Sequence, residues 1–276
     1  MKPSSSAFRS VYPCRTRAMS PPASCAAHGT ASRPRRRPPD AGSCRVPAGR
    51  SIDSLRAMPQ RPPAIVAIGK NYADHAAEMG GAAPASLVVF HKNPSAACGD
   101  GDTIVIPPIC DEHGPQVDFE GELAVIIGRD CRDVPERDAL SYVRGYAAAN
   151  DVSARWWQRE GSGGQFSRGK SFDTFCPIGP EAPAASVPDP QALRLVTRVN
   201  GTVMQDGHTS AMIHPVTRII ADLSRGMTLA AGTVILTGTP AGVGFGRKPP
   251  VFLAAGDVVE VEIPGVGRVR NPVRHG

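Results

Sequence analysis

From residue 64 to the C-terminus, apolar residues come in short runs that end in glycine, proline or a polar cluster. Such runs, rich in valine and isoleucine, predict β-strands, and the alternation around Asn200-Gly201 predicts a hairpin with a type I′ turn. We predict strands at 64–69, 87–95, 103–108, 117–128, 144–153, 193–205, 234–244, 258–263 and 266–273. Helical spacing predicts about four short helices, at 70–81, 135–143, 154–160 and 216–223. This pattern indicates an α+β fold with a mainly antiparallel, curled β-sheet.

The predicted strand at 117–128 carries two glutamates in its first half and a continuous apolar run in its second half. Glu120 and Glu122 stand two residues apart, so in a strand both carboxylates point to the same face. Like charges held side by side repel unless a positive group lies between them, and the hard cations Mg2+ and Mn2+ prefer carboxylate oxygens. The pair therefore indicates either a metal site or a solvated edge strand whose glutamates face water.

The predicted strand at 144–153 contains small residues and ends near Asp151. Asp151 has two interpretations. In one, either Asp151 or Ser153 caps the helix predicted at 154–160; in the other, Asp151 is a third carboxylate beside Glu120 and Glu122. Three carboxylates with additional waters suit Mg2+ or Mn2+. The histidine and cysteine ligands typical of zinc or iron are absent from both strands.

Other polar side chains along the chain are candidates for chemistry. His75 and Glu78 stand three residues apart in a predicted helix, so they form either a base pair in which the carboxylate orients the imidazole or an exposed surface pair. Glycines on both sides of this helix also suit a lid. Lys92 ends a strand and is either a pocket cation or a solvated strand end. Lys170 follows the glycine-rich loop at 161–169, which lacks the Walker and Rossmann spacings, and its compact charge suits an anionic substrate group.

The positive charge of the chain is confined to its N-terminal segment. The formal net charge is +6, but residues 1–57 carry eleven Lys or Arg against two Asp, which leaves residues 58–276 at −3. A nucleic-acid role for the folded part therefore has no support. Residues 1–57 are rich in Pro, Ser, Arg and Ala, and we expect them to be disordered. We interpret them as the product of a reading frame begun upstream of a true start at Met58, with a transit peptide or a basic nucleic-acid arm as alternatives.

The seven cysteines have irregular spacings and form no CxxC pair. This argues against a disulfide framework or a structural zinc and fits a reducing compartment. No stretch is long and apolar enough for a signal-sequence core or a membrane span. We therefore expect a cytoplasmic protein with no membrane partner.

Five short motifs occur in order along the chain. They are GKNYADH at 69–75, FEGELAV at 119–125, GY at 145–146 followed by NDVSAR at 150–155, GKSFD at 169–173, and LTGTPAGVG at 236–244. Each motif alone is unspecific, but the ordered set resembles the fumarylacetoacetate hydrolase superfamily. The resemblance covers about residues 62–274, which is nearly the whole chain except the N-terminal segment.

The resemblance implies a β-roll-like fold, a homodimer and one bound Mg2+ or Mn2+. The metal ligands that it implies are Glu120, Glu122 and Asp151. It also implies that His75 and Glu78 activate a water molecule from a lid helix and that Lys170 stabilises a developing oxyanion. The residues that we expect to contact the substrate are Lys92, Gln158, Lys170 and Thr239.

Members of this superfamily act on small 2-oxo acids, so the resemblance implies a small-molecule substrate of that class. The expected activity is metal-dependent hydrolysis of a C–C bond in a 2,4-dioxo acid, an acylpyruvate or a diketo sugar acid, with release of pyruvate. The same enolate chemistry serves an isomerase or decarboxylase of the 5-carboxymethyl-2-hydroxymuconate or 2-hydroxyhepta-2,4-diene-1,7-dioate type. A ureidoglycolate lyase is a further alternative.

Overall fold

The computed structural model describes residues 61–276. The predicted N-terminal extension at 1–57 and the alternative start at Met58 lie outside the described residues, so both stay predictions. The strands are β1 (Ile65–Gly69), β2 (Val88–Lys92), β3 (Ala97–Cys98), β4 (Ile104–Ile106), β5 (Val117–Asp118), β6 (Gly121–Ile127), β7 (Val143–Asn150), β8 (Ser153–Ala154), β9 (Cys176–Pro177), β10 (Ala182–Pro183), β11 (Arg194–Val199), β12 (Thr202–His208), β13 (Val234–Leu236), β14 (Val258–Ile263) and β15 (Gly267–His275). The α-helices are α1 (Ala73–Glu78), α2 (Arg155–Gln158), α3 (Phe166–Gly169) and α4 (Val216–Ser224).

Short 3-10 helices connect several of these elements. They are Pro94–Ala96, Pro108–Cys110, Glu136–Tyr142, Glu160–Ser162, Ala184–Ser186 and Thr209–Ala211. The helix predicted at 135–143 is thus a 3-10 helix, and none of the helices within 61–276 is long and apolar enough to cross a membrane.

Two mixed sheets contain eleven of the fifteen strands found in residues 61–276. One has the strand order β10-β7-β6-β13-β1-β2 and the other β12-β11-β14-β15-β4. Most neighbours are antiparallel, but β1 pairs in parallel with β13, and β15 pairs in parallel with β4. The predicted α+β class is therefore confirmed, whereas the sheets are mixed, and neither closes into a barrel within the described residues.

Strand β6 is buried along its whole length, which explains its continuous apolar sequence. Leu123, Val125 and Ile127 pack into one hydrophobic cluster together with residues of α4. Ala124 and Ile126 point the other way into a second cluster. This alternation places β6 between two cores and fixes its register against β7.

The strand predicted at 117–128 is interrupted. Its first part, β5, pairs with β8, and β6 begins only at Gly121, so Phe119 and Glu120 form a break between them. The predicted hairpin turn is confirmed, because Asn200 and Gly201 have φ values of 52° and 80°. The interpretation in which Asp151 or Ser153 caps the helix is wrong, because helix α2 begins after Ala154 with no side-chain cap.

Candidate metal centre

Three buried carboxylates meet where β6 and β7 lie side by side. Glu120 precedes β6, Glu122 is its second residue, and Asp151 directly follows β7. The antiparallel register pairs Gly121 with Asn150, and the Asp151 N–H donates to the Glu120 carbonyl oxygen at 2.8 Å. One carboxylate oxygen from each of the three acids lies within 4.8 Å of the others. The structure thus brings together the three residues that were predicted to bind a metal, and the edge-strand alternative is wrong because Glu120 and Glu122 are at most 5% exposed.

The two glutamates differ in their electrostatic environment. Burial raises the pKa of Glu120, but the nearby Lys170 ammonium and Arg155 guanidinium outweigh burial and hold that pKa below its usual range. Burial, reinforced by the charges of Asp151 and Glu120, raises the pKa of Glu122 well above its usual range. Glu122 accepts a hydrogen bond from the Gly238 N–H at 2.6 Å and has no cation within ion-pair distance among residues 61–276.

The charges buried around the triad do not cancel. The carboxylates are Asp118, Glu120, Glu122 and Asp151, and the cations are Lys92, Arg155 and Lys170. With all four carboxylates ionised one negative charge is left over, and the raised pKa of Glu122 shows that its ionised form is the one this set of charges disfavours. Since the donors are carboxylate oxygens, the residues present fit a hard divalent cation such as Mg2+ or Mn2+.

Two buried lysines contact the triad from different sides. Lys170 Nζ lies 2.5 Å from a Glu120 oxygen and 2.6 Å from an Asp151 oxygen, and it borders the cavity. Burial lowers the pKa of Lys170, but Asp151 and Glu120 raise it above its ordinary value, so Lys170 stays protonated. Lys92 pairs with the other Asp151 oxygen and does not border this cavity. The predicted substrate contact of Lys92 therefore gains no support from its position.

An Asp118–Arg155 pair, which sequence reasoning missed, supports the triad. Arg155 donates to Asp118 at 2.6 Å and to Glu120 at 2.7 Å. Asp118 also accepts the backbone N–H groups of Gly244 and Phe245 at 2.8 and 2.9 Å. The pair thus links Glu120 to the glycine loop after β13. The sequence did contain a signal for this pair: Arg155 is the last residue of the NDVSAR motif, and Asp118 stands two residues before Glu120, on the same predicted strand.

His75 and Glu78 form a contact over the cavity. His75 Nδ1 lies 3.2 Å from a Glu78 oxygen, and His75 is only 5% exposed. The Gly242 N–H donates to Glu78 at 3.0 Å, so the loop after β13 fixes helix α1 in place. The alternative of an exposed surface pair is therefore wrong.

A cavity of about 170 Å³ opens above the triad. Its walls include Ile68, Gly69, Lys70, His75, Met79, Phe90, Glu120, Glu122, Asp151, Arg155, Gln158, Arg159, Phe166, Lys170 and Thr239. Gln158 accepts from Arg155 at 2.9 Å, and the Thr239 hydroxyl donates to the Gly121 carbonyl oxygen at 2.9 Å. Gln158 and Thr239 thus border the same cavity as the metal ligands, and hydrogen bonds to neighbouring groups fix the orientation of their polar atoms.

Comparison with known proteins identifies relatives across nearly the whole described region. The family model described as "Fumarylacetoacetate (FAA) hydrolase C-terminal" matches residues 64–274. The chain is 45% identical over 225 residues to "Oxaloacetate tautomerase fahd2, mitochondrial" of Xenopus laevis, covering 81% of this chain and 69% of that protein.

Solved structures show the same likeness. A 5-carboxymethyl-2-hydroxymuconate delta-isomerase from Mycobacterium smegmatis matches with 43% identity and a TM-score of 0.68, over 78% of this chain and 80% of that chain. A fumarylacetoacetate hydrolase from Exiguobacterium antarcticum matches with 46% identity and a TM-score of 0.71, over 79% of this chain and 78% of that chain. All residues around the cavity fall inside the region that the family model matches.

Proposed function

Because the chain belongs to the fumarylacetoacetate hydrolase superfamily, we propose that it is a divalent-cation-dependent isomerase that moves a proton within a small 2-oxo acid. The observation that supports this most is the buried acidic triad beside a protonated lysine, in one cavity with a histidine. Both the oxaloacetate tautomerase and the muconate isomerase among the relatives are named for such proton shifts.

Glu120, Glu122 and Asp151 would hold the cation, with Mg2+ or Mn2+ as the proposed ion. A divalent cation bound there supplies Lewis-acid stabilisation of the enolate that forms when a 2-oxo acid loses a proton from C3. The remaining steps fall to side chains of this chain. Lys170 borders the cavity, and its ammonium is placed to donate to the oxygen on which negative charge develops.

His75 and Glu78 are placed to move the proton. Glu78 accepts from Nδ1 of His75, which leaves Nε2 as the nitrogen that takes a proton from C3 and returns it to the substrate oxygen. The low exposure of His75 keeps bulk water away from this transfer. The net reaction is a 1,3-proton shift: the C3–H bond breaks, an O–H bond forms, and the C2=O π bond is replaced by a C2=C3 π bond.

Hydrolysis of a C–C bond is the second candidate, and the same His75–Glu78 contact favours it. A water molecule in the cavity would lose its proton to His75 and attack the 4-carbonyl of a 2,4-dioxo acid, with release of pyruvate. Substrates of this kind are acylpyruvates and diketo sugar acids. The likeness to a fumarylacetoacetate hydrolase supports this candidate.

Two assays on one preparation separate the candidates. The first follows the enol absorbance of oxaloacetate, and the second follows pyruvate release from acetylpyruvate with a lactate dehydrogenase couple. Each is run with Mg2+, with Mn2+ and after EDTA. We expect cation-dependent tautomerisation without acetylpyruvate cleavage. Cation-dependent pyruvate release would favour the hydrolase, and no cation-dependent activity in either assay would refute both.

The cellular location of the protein and its oligomeric state do not follow from the activity proposed above. The cytoplasmic location expected from the cysteine pattern does not fit the word mitochondrial in the name of the Xenopus relative. The homodimer implied by the superfamily stays a proposal, and light scattering of the purified full chain tests it.

A further inference from the structure

Two cations at the opening of the cavity have no role in the chemistry described so far. Lys70 and Arg159 both border the cavity. Lys70 is half-buried and Arg159 is exposed, whereas the triad is buried, so the two cations lie toward the solvent end. Neither one has a carboxylate within ion-pair distance among residues 61–276. Their charges are therefore available to a ligand.

Lys70 has a backbone conformation that a lysine rarely adopts. Its φ is 56°, in the left-handed region that favours glycine and asparagine. Strained residues of this kind are concentrated at functional sites. The Lys70 ammonium reaches across to Gly81, where it lies 3.3 Å from the position that a Cβ would occupy. The Lys70 ammonium thus lies beside Gly81, in the segment that follows helix α1.

Arg159 is held in position by an aromatic ring. Its guanidinium lies 4.4 Å from the ring centroid of Phe245. The Phe245 N–H donates to Asp118, so this ring is attached to the network that supports the triad. The guanidinium is therefore oriented without an acidic partner, which leaves its donors free for a planar carboxylate.

The net charge of the cation-loaded site favours a ligand with two negative charges. The relevant charges are those of the residues that border the cavity and of the groups that pair with them. The cations are Lys70, Lys92, Arg155, Arg159 and Lys170, and the carboxylates are Glu78, Asp118, Glu120, Glu122 and Asp151. Apart from His75 this set is neutral, so a bound divalent cation leaves +2. A dicarboxylate dianion neutralises that charge, whereas a monocarboxylate leaves +1.

We propose that Lys70 and Arg159 bind the distal carboxylate of a dicarboxylic 2-oxo acid and so select dicarboxylates over monocarboxylates. This inference rests on the proposed function, since the triad is taken to bind the 2-oxo acid end through the cation. The buried end of the cavity then recognises the reacting group, and the solvent end recognises the second carboxylate. Lys70 and Arg159 are specificity residues and take no part in proton transfer.

The test is calorimetric binding to the full chain in saturating Mg2+ with three stable ligands. Malate and 2-hydroxybutanoate share a four-carbon chain and a 2-hydroxy acid end, and they differ only in the distal carboxylate. Oxalate lacks any distal group and reports on the metal end alone. The variants are Lys70→Met and Arg159→Met, with Lys70→Arg as the conservative substitution. Arg168→Met is the matched control, because Arg168 is an exposed arginine 4.4 Å from the Trp157 ring that does not border this cavity.

We expect the unmodified chain to prefer malate by about tenfold or more, and each Met substitution to reduce that preference about three- to tenfold. Oxalate affinity should change less than about twofold in every variant, and Lys70→Arg and Arg168→Met should keep the preference for malate. An unchanged preference in both Met variants, with oxalate still bound, would overturn this inference alone. Failure of oxalate to bind the Mg2+-loaded protein would overturn the proposed function together with it.

Discussion

Replacing Glu122 with glutamine should stabilise the cation-free protein while weakening its response to cations. Burial and the charges of Asp151 and Glu120 raise the pKa of Glu122, so its ionised form is unfavourable when no cation is bound. Glutamine keeps the shape and still accepts the Gly238 N–H through its carbonyl oxygen. Its amide group can in addition donate to the neighbouring carboxylates.

The magnitude follows from the separation of the charges. One oxygen of each acid lies within 4.8 Å of the others, and two unit charges at that largest separation repel by about 3–4 kcal/mol at an effective dielectric constant of about 20. Glu122 has two such neighbours, and the attraction of Lys170 offsets part of this repulsion. We expect a net gain of about 2 kcal/mol, which corresponds to about 4–8 °C in Tm for a domain of this size.

The assay is thermal unfolding of the full chain in EDTA and in saturating Mg2+ or Mn2+. The unmodified protein should gain about 2.7 kcal/mol at a cation concentration of about 100 times Kd, and Glu122→Gln should lose most of that gain. Glu112→Gln, at an exposed position outside the cavity, is the control and should behave like the unmodified protein. A lower Tm for Glu122→Gln in EDTA, or a full cation response, would refute this account of the triad.

The same carboxylate gives a pH dependence with a definite sign. The folded-state pKa of Glu122 is above its ordinary value of 4.5, so the folded chain binds a proton more tightly than the unfolded chain does. The stability from this proton is fully present below about pH 4.5 and is lost as the pH rises through the folded-state pKa. In EDTA, stability should therefore fall with rising pH above about 5, and Glu122→Gln should flatten that slope. Glu120 acts in the opposite direction but only below its ordinary value of 4.5, since its folded-state pKa is lowered.

Three further substitutions test the surrounding structure. His75→Ala should lower kcat by about 10²–10⁴-fold without changing the Mg2+-induced rise in Tm, and an unchanged kcat would exclude His75 from proton transfer. Asp118→Asn should destabilise the chain by about 3–5 kcal/mol in urea unfolding, because Arg155 stays buried with one anionic partner fewer; a loss below about 1 kcal/mol would contradict this role. Gly246→Ala places a Cβ 2.4 Å from Glu78 Cγ, so kcat/KM should fall while the cation response persists, and normal kinetics would show that α1 need not dock on this loop.

The acidic triad could be predicted only in part from strand geometry. The spacing of Glu120 and Glu122 predicts that their carboxylates share one face, whereas the resemblance to the superfamily is what selects Asp151 as the third ligand. The break at Phe119–Glu120 could not be predicted, since it depends on β5 pairing with the distant β8. The carboxylates nonetheless meet, because the register of β6 against β7 determines their position.

The cations around the site were less predictable than the acids. Lys92 and Lys170 were recognised as candidates, but their burial and their shared partner Asp151 arise from segments far apart in the chain. Lys70 lies in the GKNYADH motif, but its left-handed φ and its position at the cavity are imposed by tertiary structure and could not be predicted from the local sequence. Long-range pairing therefore decides which charged residues belong to the site.

The ionised form of Glu122, which is unfavourable without a cation, connects the stability of the chain with its proposed function. Replacing Glu122 with glutamine should make the cation-free protein more stable, as stated above, and should also weaken cation binding. Functional sites commonly retain such unfavourable arrangements at the expense of stability. A bound divalent cation in turn gives the site an excess positive charge. Lys70 and Arg159 contribute to that charge at the solvent end of the cavity. The order of events follows from these charges: cation binding comes first, and a dianionic ligand is attracted only to the cation-loaded site.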